Sequence, residues 1–459
     1  MYWISTLNGW LWDHFLLILI AGTCLYFTIR LKGMPLRTLG YSLHQSFRRK
    51  DPHAQGEISP LQSMMTSLSA ILGVGGIIGM ATAIILGGFG AVFWMLLIAF
   101  FGLSLRYAES LLAIKYRTLN SKGEVCGGPM YYIAFGLKKK WLSICFASFS
   151  LVAALTGGIA IQAHGIALTV RDAMQVSPLA TGIFLVVLIA IVLMGGVKRI
   201  AKLTTVLAST LALLYAAAGL IILVCHLDSI PHALQVIFTS AFSARALTGG
   251  VLGASLSAII QLGLTWGITS QHIGWGNTAM AAAAAKTDVP ARQALITMGG
   301  SFLCILMSAI TALVLFVTDA PALIQSSSGV FTASSFVMQA FHSVIPSGDI
   351  LVLCALFVFG FTAILGWGYY GEKCLEFLWG ERPVLGYRAL VCACILMGSI
   401  CSLDILWPLS SCFNGLMALC NAIALMALSS VVAIETRLFF DIAAKERRQK
   451  VSSELEPLS

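Results

Sequence analysis

The chain has 459 residues, of which 58% are hydrophobic and only 10% charged. A water-soluble protein carries charge on about a quarter of its residues, so composition excludes a soluble globular domain for most of this chain. The net charge of +9 does not indicate nucleic acid either, because the basic residues sit in short loops between apolar runs, where they set topology.

The opening MYWISTLNGWLWDHF has no basic stretch, and Asp13 precedes the apolar run. It reads as the approach to a retained first helix rather than a cleaved signal. About 20 apolar residues suffice to cross a bilayer. Hydropathy predicts eleven such spans, near 12–31, 63–87, 91–114, 141–170, 178–196, 203–225, 249–284, 294–317, 349–370, 384–403 and 406–435. Basic residues follow spans one, three, five, seven, nine and eleven, among them Arg30, Arg48, Arg49, Lys50, Lys115, Lys198, Lys286, Lys373 and Lys445. Only Arg171 and Arg245 fall on the other side. That asymmetry places the N-terminus outside and the C-terminus in the cytoplasm. Two longer outer loops, 226–247 and 318–348, read as interfacial helices over an entrance or as plain connectors. The twelve cysteines lie mostly within apolar runs and lack ligand spacing, so neither disulfides nor a metal are expected.

Spans two and seven differ from the rest. Span two carries Gly73, Gly75, Gly76 and Gly79 at its middle, and span seven carries Gly267, Gly274 and Gly276. Each glycine costs a helix about 1 kcal/mol relative to alanine, so such clusters invite unwinding. An unwound backbone at membrane depth must line a cavity or be buried in protein. Close helix packing through small residues is the alternative for either span alone. Two interrupted helices opening two blocks of five spans instead mark an inverted-repeat transporter. The implied organisation is 1–60 (an extra helix and a basic loop), 61–226 and 227–436 (the two five-helix repeats), and 437–459 (a charged cytoplasmic tail).

Few polar groups lie inside the spans. Arg106 and Glu109, three apart near the inner end of span three, read as a peripheral ion pair. Gln162 and His164 in span four are expected to face a ligand, whereas Asn414 and Asn421 are expected to bond between helices. No phosphate-binding loop, metal-ligand array or nucleophile–base motif is present, so the chain is not read as an enzyme or an ATP-driven pump. Secondary transport remains.

The run GVGGIIGMATAIILGGFGAVFWMLLIAFFG resembles the first core segment of the alanine/glycine:cation symporter family. So do Gly127–Ile133, Ala283–Gln293, Ile364–Cys374 and Phe413–Asn421, in order along nearly the whole chain. The resemblance implies an all-α membrane protein with a leucine-transporter-like core of ten helices plus one extra N-terminal helix. It implies a symporter in the cell (inner) membrane that imports a small neutral amino acid such as alanine or glycine, with sodium as co-transported cation and no cofactor. Its implied substrate residues are Val74, Gly75, Gln162, His164, Thr269, Ser270 and Trp367. The implied cation site is the carbonyls of Ala70 and Gly73 with the Thr362 hydroxyl. The sequence departs from the family where Gly73-Val74-Gly75-Gly76 replaces Gly-Thr-Gly-Asn and where Gln271 and His272 replace an amide and an acid. These losses leave proton coupling through His164 and His272, uniport or exchange, and a non-transporting sensor or structural protein as alternatives.

Overall fold

Within hydrocarbon, backbone groups must bond to one another, and helices achieve this within a single segment. A computed structural model of the chain describes residues 6, 8–46, 54–242, 256–319 and 332–455, and they are helical almost throughout. Arg48, Arg49, Lys50, Arg245 and the start of span seven at 249–255 lie outside the described residues.

Helix α1 (Leu17–Arg30) follows a π-helical turn at Leu11–Leu16, and short helices α2 (Met34–Arg37) and α3 (Leu39–Ser46) follow it. Helix α4 (Pro60–Lys115) starts at a capping box, in which the Ser59 hydroxyl accepts from the Gln62 N–H and the Gln62 side chain accepts from the Ser59 N–H. Its backbone leaves helical geometry at Gly73 and Gly88. Gly88, with φ +67°, turns the chain between predicted spans two and three, and Gly73 interrupts span two.

A two-stranded hairpin, β1 (Thr118–Leu119) with β2 (Val125–Cys126), leads to α5 (Pro129–Tyr131). Span four is α6 (Lys140–Ala153), a π-helical segment Ala154–Ala160, and α7 (Ile161–Met174). Helices α8 (Pro178–Leu193) and α9 (Gly196–Cys225) complete the first block. Helix α10 (Ile230–Phe242) follows, then α11 (Leu256–Ser270) and α12 (Ala279–Ala283), which flank the interruption of span seven. The rest comprises α13 (Pro290–Val317), α14 (Ala333–His342), α15 (Gly348–Trp379), α16 (Val384–Ile400), α17 (Leu403–Ala427) and α18 (Ser429–Leu455).

Six helical runs among the described residues are long and apolar enough to cross a membrane, and α1, α8, α11 and α16 are apolar but shorter. The described parts of the two loops predicted as outer contain helices, α10 and α14, so neither is a plain connector. The Trp94 indole donates to the Ala241 carbonyl at 3.0 Å, which seats α10 on α4. Predicted span eleven is shorter than its apolar run. It stops at Ala427, where Leu428 leaves helical geometry, and residues 429–435 belong to α18.

Just before α4, residues 55–58 run beside residues 284–287, which follow α12. The Glu57 N–H donates to the Ala284 carbonyl (2.8 Å), Lys286 to Ile58 (2.8 Å) and Thr287 to Gln55 (3.1 Å). Gly56, with φ +144°, has backbone atoms of Ala285 and Lys286 2.5 Å from where a Cβ would sit, so only glycine fits. The Arg117 guanidinium then donates to the carbonyls of Gln55 (3.0 Å), Ala283 (3.0 Å), Ala285 (2.8 Å) and Thr287 (2.7 Å). The start of α4 and the end of α12, which belong to the two interrupted helices, are thereby strapped together.

Candidate binding site between the two broken helices

The first break centres on Gly73, at φ −6° and ψ −171°. It is tightly enclosed, since a Cβ there would lie 2.9 Å from Gln162 Oε1 and 3.0 Å from the Ala363 Cβ, so a side chain would have to displace both. One turn earlier, Ala70 packs so closely on α15 that a Cβ at Gly366 would lie 3.0 Å from its own. Gly75 is different. Nothing lies within 4 Å of its Cβ position, so the chain beyond the break faces open space.

Gln162 reaches Gly73 from the first turn of α7, directly after the π-helical segment Ala154–Ala160. A wider turn of this kind re-aims the side chains that follow it. His164 does not join Gln162. Two residues apart on a helix is about 200°, close to opposite faces. The His164 Nδ1 lies 3.1 Å from the Gly398 carbonyl of α16.

The second break runs from the end of α11 to α12. His272, Gly274 and Gly276 all have left-handed backbones, with φ of 49°, 76° and 72°. For a histidine this is an unusual conformation, tolerated where the surroundings fix it. The His272 ring stacks on Trp275, with centroids 4.4 Å apart and planes 10° apart, and meets Trp367 edge-on at 5.4 Å. Trp367 is 1% exposed, and its ring fills the notch left by Gly158, where any Cβ would strike it.

Two buried charges hold this break. Arg106 and Glu109 pair at 3.2 Å with side chains 3% and 0% exposed. Arg106 donates to the carbonyls of Gln271 (2.8 Å) and His272 (3.0 Å) and to the Thr278 hydroxyl. Glu109 accepts from the Gly276 N–H (3.1 Å) and the Asn421 amide (2.8 Å). That amide also donates to the Gly274 carbonyl at 2.9 Å, and the Tyr132 hydroxyl donates to Asn421 Oδ1. The pair is therefore not peripheral, as its place near the end of span three suggested, but lies under the unwound segment. Asn421 does bond between helices, joining Glu109 and Tyr132 to the Gly274 carbonyl of the break.

The breaks also gather unpartnered polar atoms. Among the described residues, Ser270 Oγ, Gln271 Oε1, His272 Nδ1, Trp275 Nε1, both amide atoms of Asn277 and Trp367 Nε1 are buried without a hydrogen-bond partner. Buried polar atoms are nearly always satisfied, so such a concentration marks where a ligand's polar groups would sit. Sequence reasoning missed Asn277, although an amide directly after Gly274-Trp275-Gly276 in an alanine-rich run was a visible signal.

The remaining predicted residues divide by neighbour. Ser270 lies against Gly79, which leaves no room for a Cβ, so this glycine serves packing rather than unwinding. Gly267 serves packing too, against Met95 and Ile98. The Thr269 hydroxyl donates back to the Thr265 carbonyl at 2.8 Å. Of Val74 the backbone alone is described. Thr362, fully buried beside Ala363, donates its proton to the Val358 carbonyl at 2.9 Å. Its lone pairs stay available, and an oxygen donor set of that hydroxyl with carbonyls at a non-helical glycine suits a hard cation.

The family model for the sodium:alanine symporter family matches residues 1–453. The chain is 39% identical over 451 residues to the sodium/alanine symporter AgcS of Methanococcus maripaludis, covering 97% of this chain and 98% of that protein. Among solved structures, it resembles MhsT in complex with L-phenylalanine, with a TM-score of 0.56 at 13% identity, over 82% of this chain and 89% of that one. It also resembles a Na+-coupled sialic acid symporter, with a TM-score of 0.51 at 16% identity, over 86% and 80% of the two chains. These structural likenesses bear on the fold, which is that of the leucine-transporter-like carriers, and the sequence match goes further: the chain is a multi-pass membrane protein that belongs to the sodium:alanine symporter family.

Proposed function

We propose that this symporter imports a small neutral amino acid, alanine or glycine, together with sodium, by alternating access. The observation that carries the reading is the cluster of unpartnered buried polar atoms at residues 270–277 and 367, together with the open space at Gly75 on the other broken helix. A zwitterion matches that chemistry at both ends. Freed N–H groups at Val74 and Gly75 take its carboxylate, and the Ser270 and Gln271 oxygens take its ammonium. The Trp367 indole and the His272–Trp275 stack crowd the remaining volume and favour a short side chain. Sodium takes the Ala70 and Gly73 carbonyls with the Thr362 hydroxyl.

The five-helix repeats lie at 61–226 and 227–436, in an inner membrane, with the N-terminus outside and the C-terminus in the cytoplasm. The basic loops support that orientation, since Arg117 and Lys122 share the strapped side with residues 284–287. No geometry favours a proton route through both histidines, because His164 and His272 have different neighbours. The test is uptake of radiolabelled alanine and glycine into proteoliposomes, with sodium and pH gradients imposed separately. Uptake driven by inward sodium is expected. Uptake driven by protons and indifferent to sodium would overturn the coupling, and no uptake of either amino acid would overturn the substrate.

A further inference from the structure

We infer that α18 is an amphipathic helix that lies in the phospholipid headgroup layer, with an apolar stripe toward the acyl chains and a basic run on anionic headgroups. The binding site uses neither feature. Helix α18 begins one residue after α17, whose Leu406–Ala427 run is long and apolar enough to cross a membrane, so it starts at a membrane surface. One face is seated on the protein. Tyr26 and Arg30, in the last turns of α1, bond to the hydroxyls of Ser429 (3.0 Å) and Ser430 (3.1 Å). Lys115, at the end of α4, pairs with Glu435. The hydroxyls of Tyr107 and Thr436 share a hydrogen bond at 2.9 Å, and the Phe439 ring meets that of Tyr41 in α3.

The other face is apolar and uncovered. Ile434, Leu438 and Ile442 are 56%, 50% and 43% exposed, whereas Val432, Thr436 and Phe439 are buried. A spacing of four puts the three exposed residues in one stripe along the helix. Exposed Arg437 borders it. The helix then reads Lys445-Glu446-Arg447-Arg448-Gln449-Lys450, four basic residues against one acid. An apolar stripe followed by a basic run, on a helix held at the membrane surface, matches the acyl-chain boundary and the phosphate layer of a phospholipid leaflet. A second copy of this chain could also cover the stripe, but it would bring the same positive run. An anionic surface neutralises that charge, and a second copy adds to it. The lipid surface is therefore the occupant that both halves of α18 favour.

The experiment is amide hydrogen exchange, followed by mass spectrometry, on the full chain in vesicles of phosphatidylcholine alone or with phosphatidylglycerol added. Exchange across residues 437–450 is expected to slow about tenfold when phosphatidylglycerol is present, and high salt should erase that gain. Arg447→Gln/Arg448→Gln should remove most of it, since each basic residue near an anionic surface contributes roughly a fivefold factor. Leu438→Gln/Ile442→Gln should speed exchange in both kinds of vesicle. Wild-type protection at residues 429–436 in each variant shows that the seat on α1 and α4 is intact. Equal wild-type exchange in the two kinds of vesicle would overturn the inference, whatever the variants do. Protection that rises with the protein-to-lipid ratio and ignores phosphatidylglycerol would overturn it too, and would assign the stripe to a second copy. The measurement involves no transported solute, so its outcome is independent of the amino acid carried.

Discussion

A single methyl group placed at Gly75 separates folding from transport. The Cβ of Gly75→Ala would meet nothing within 4 Å, and the backbone there is helical on both flanks once past Gly73. Alanine exceeds glycine in helix propensity by about 1 kcal/mol, so the variant is expected to be as stable as wild type or slightly more so. The methyl nevertheless occupies the space assigned to the substrate. One methylene misplaced in a fitted pocket is worth about 1–3 kcal/mol, or roughly 10–200-fold in discrimination. Alanine uptake should fall by that factor in kcat/KM, and glycine uptake, one methyl smaller, should fall less. The assay is competitive uptake of the two amino acids into proteoliposomes, paired with thermal unfolding in detergent. Unchanged alanine kinetics would refute the assignment of Gly75 to the substrate space. A destabilised variant would refute the open space itself.

Other substitutions probe the remaining parts. Gly276→Ala puts a Cβ 2.5 Å from the Pro129 ring at a φ of +72°, and such overpacking with backbone strain should cost about 2–4 kcal/mol, read as a lowered Tm. Thr362→Val removes a hydroxyl that donates to the Val358 and Phe359 carbonyls of its own helix, so it should raise the sodium concentration for half-maximal uptake about tenfold, some 1.4 kcal/mol, with little change in Tm. Arg117→Ala deletes four hydrogen bonds to the inner strap and should shift the population toward an inward-open state, measured by spin-label distances between positions 55 and 286. Burial raises the Glu57 pKa above the ordinary carboxylate value, against the lowering effect of the Val125 N–H. An acid with a raised folded-state pKa favours the protonated closed form, so the strap should be firmest below the ordinary value and weaken as pH rises through the raised one. Glu57→Gln should flatten that dependence in the same distance measurement.

Much of the architecture was legible because glycine and charge are strong punctuation. The clusters at Gly73–Gly79 and Gly274–Gly276 located both interruptions, and the basic loops divided the spans between them. The individual glycines were not separable. Gly73 breaks the helix while Gly79 packs on Ser270, a distinction made by neighbours far along the chain. Depth was likewise hidden. Arg106 and Glu109 looked like an interfacial pair because sequence position gives distance along span three but not what packs across it. Gln162 and His164 were grouped by proximity in sequence, although the helix turns their side chains apart. Asn277 was overlooked because one amide among alanines announces itself only when its partners prove to be missing.

The inner strap couples the order of events in a cycle. Because residues 55–58 and 284–287 share main-chain hydrogen bonds and a single guanidinium spans both, neither interrupted helix can open there alone. On the proposed reading, in which this strap faces the cytoplasm, ion and amino acid leave through one common opening, made when both ends release together. A carrier built this way would resist slippage, since sodium entering with its cargo would have no separate leak through which to run down the gradient.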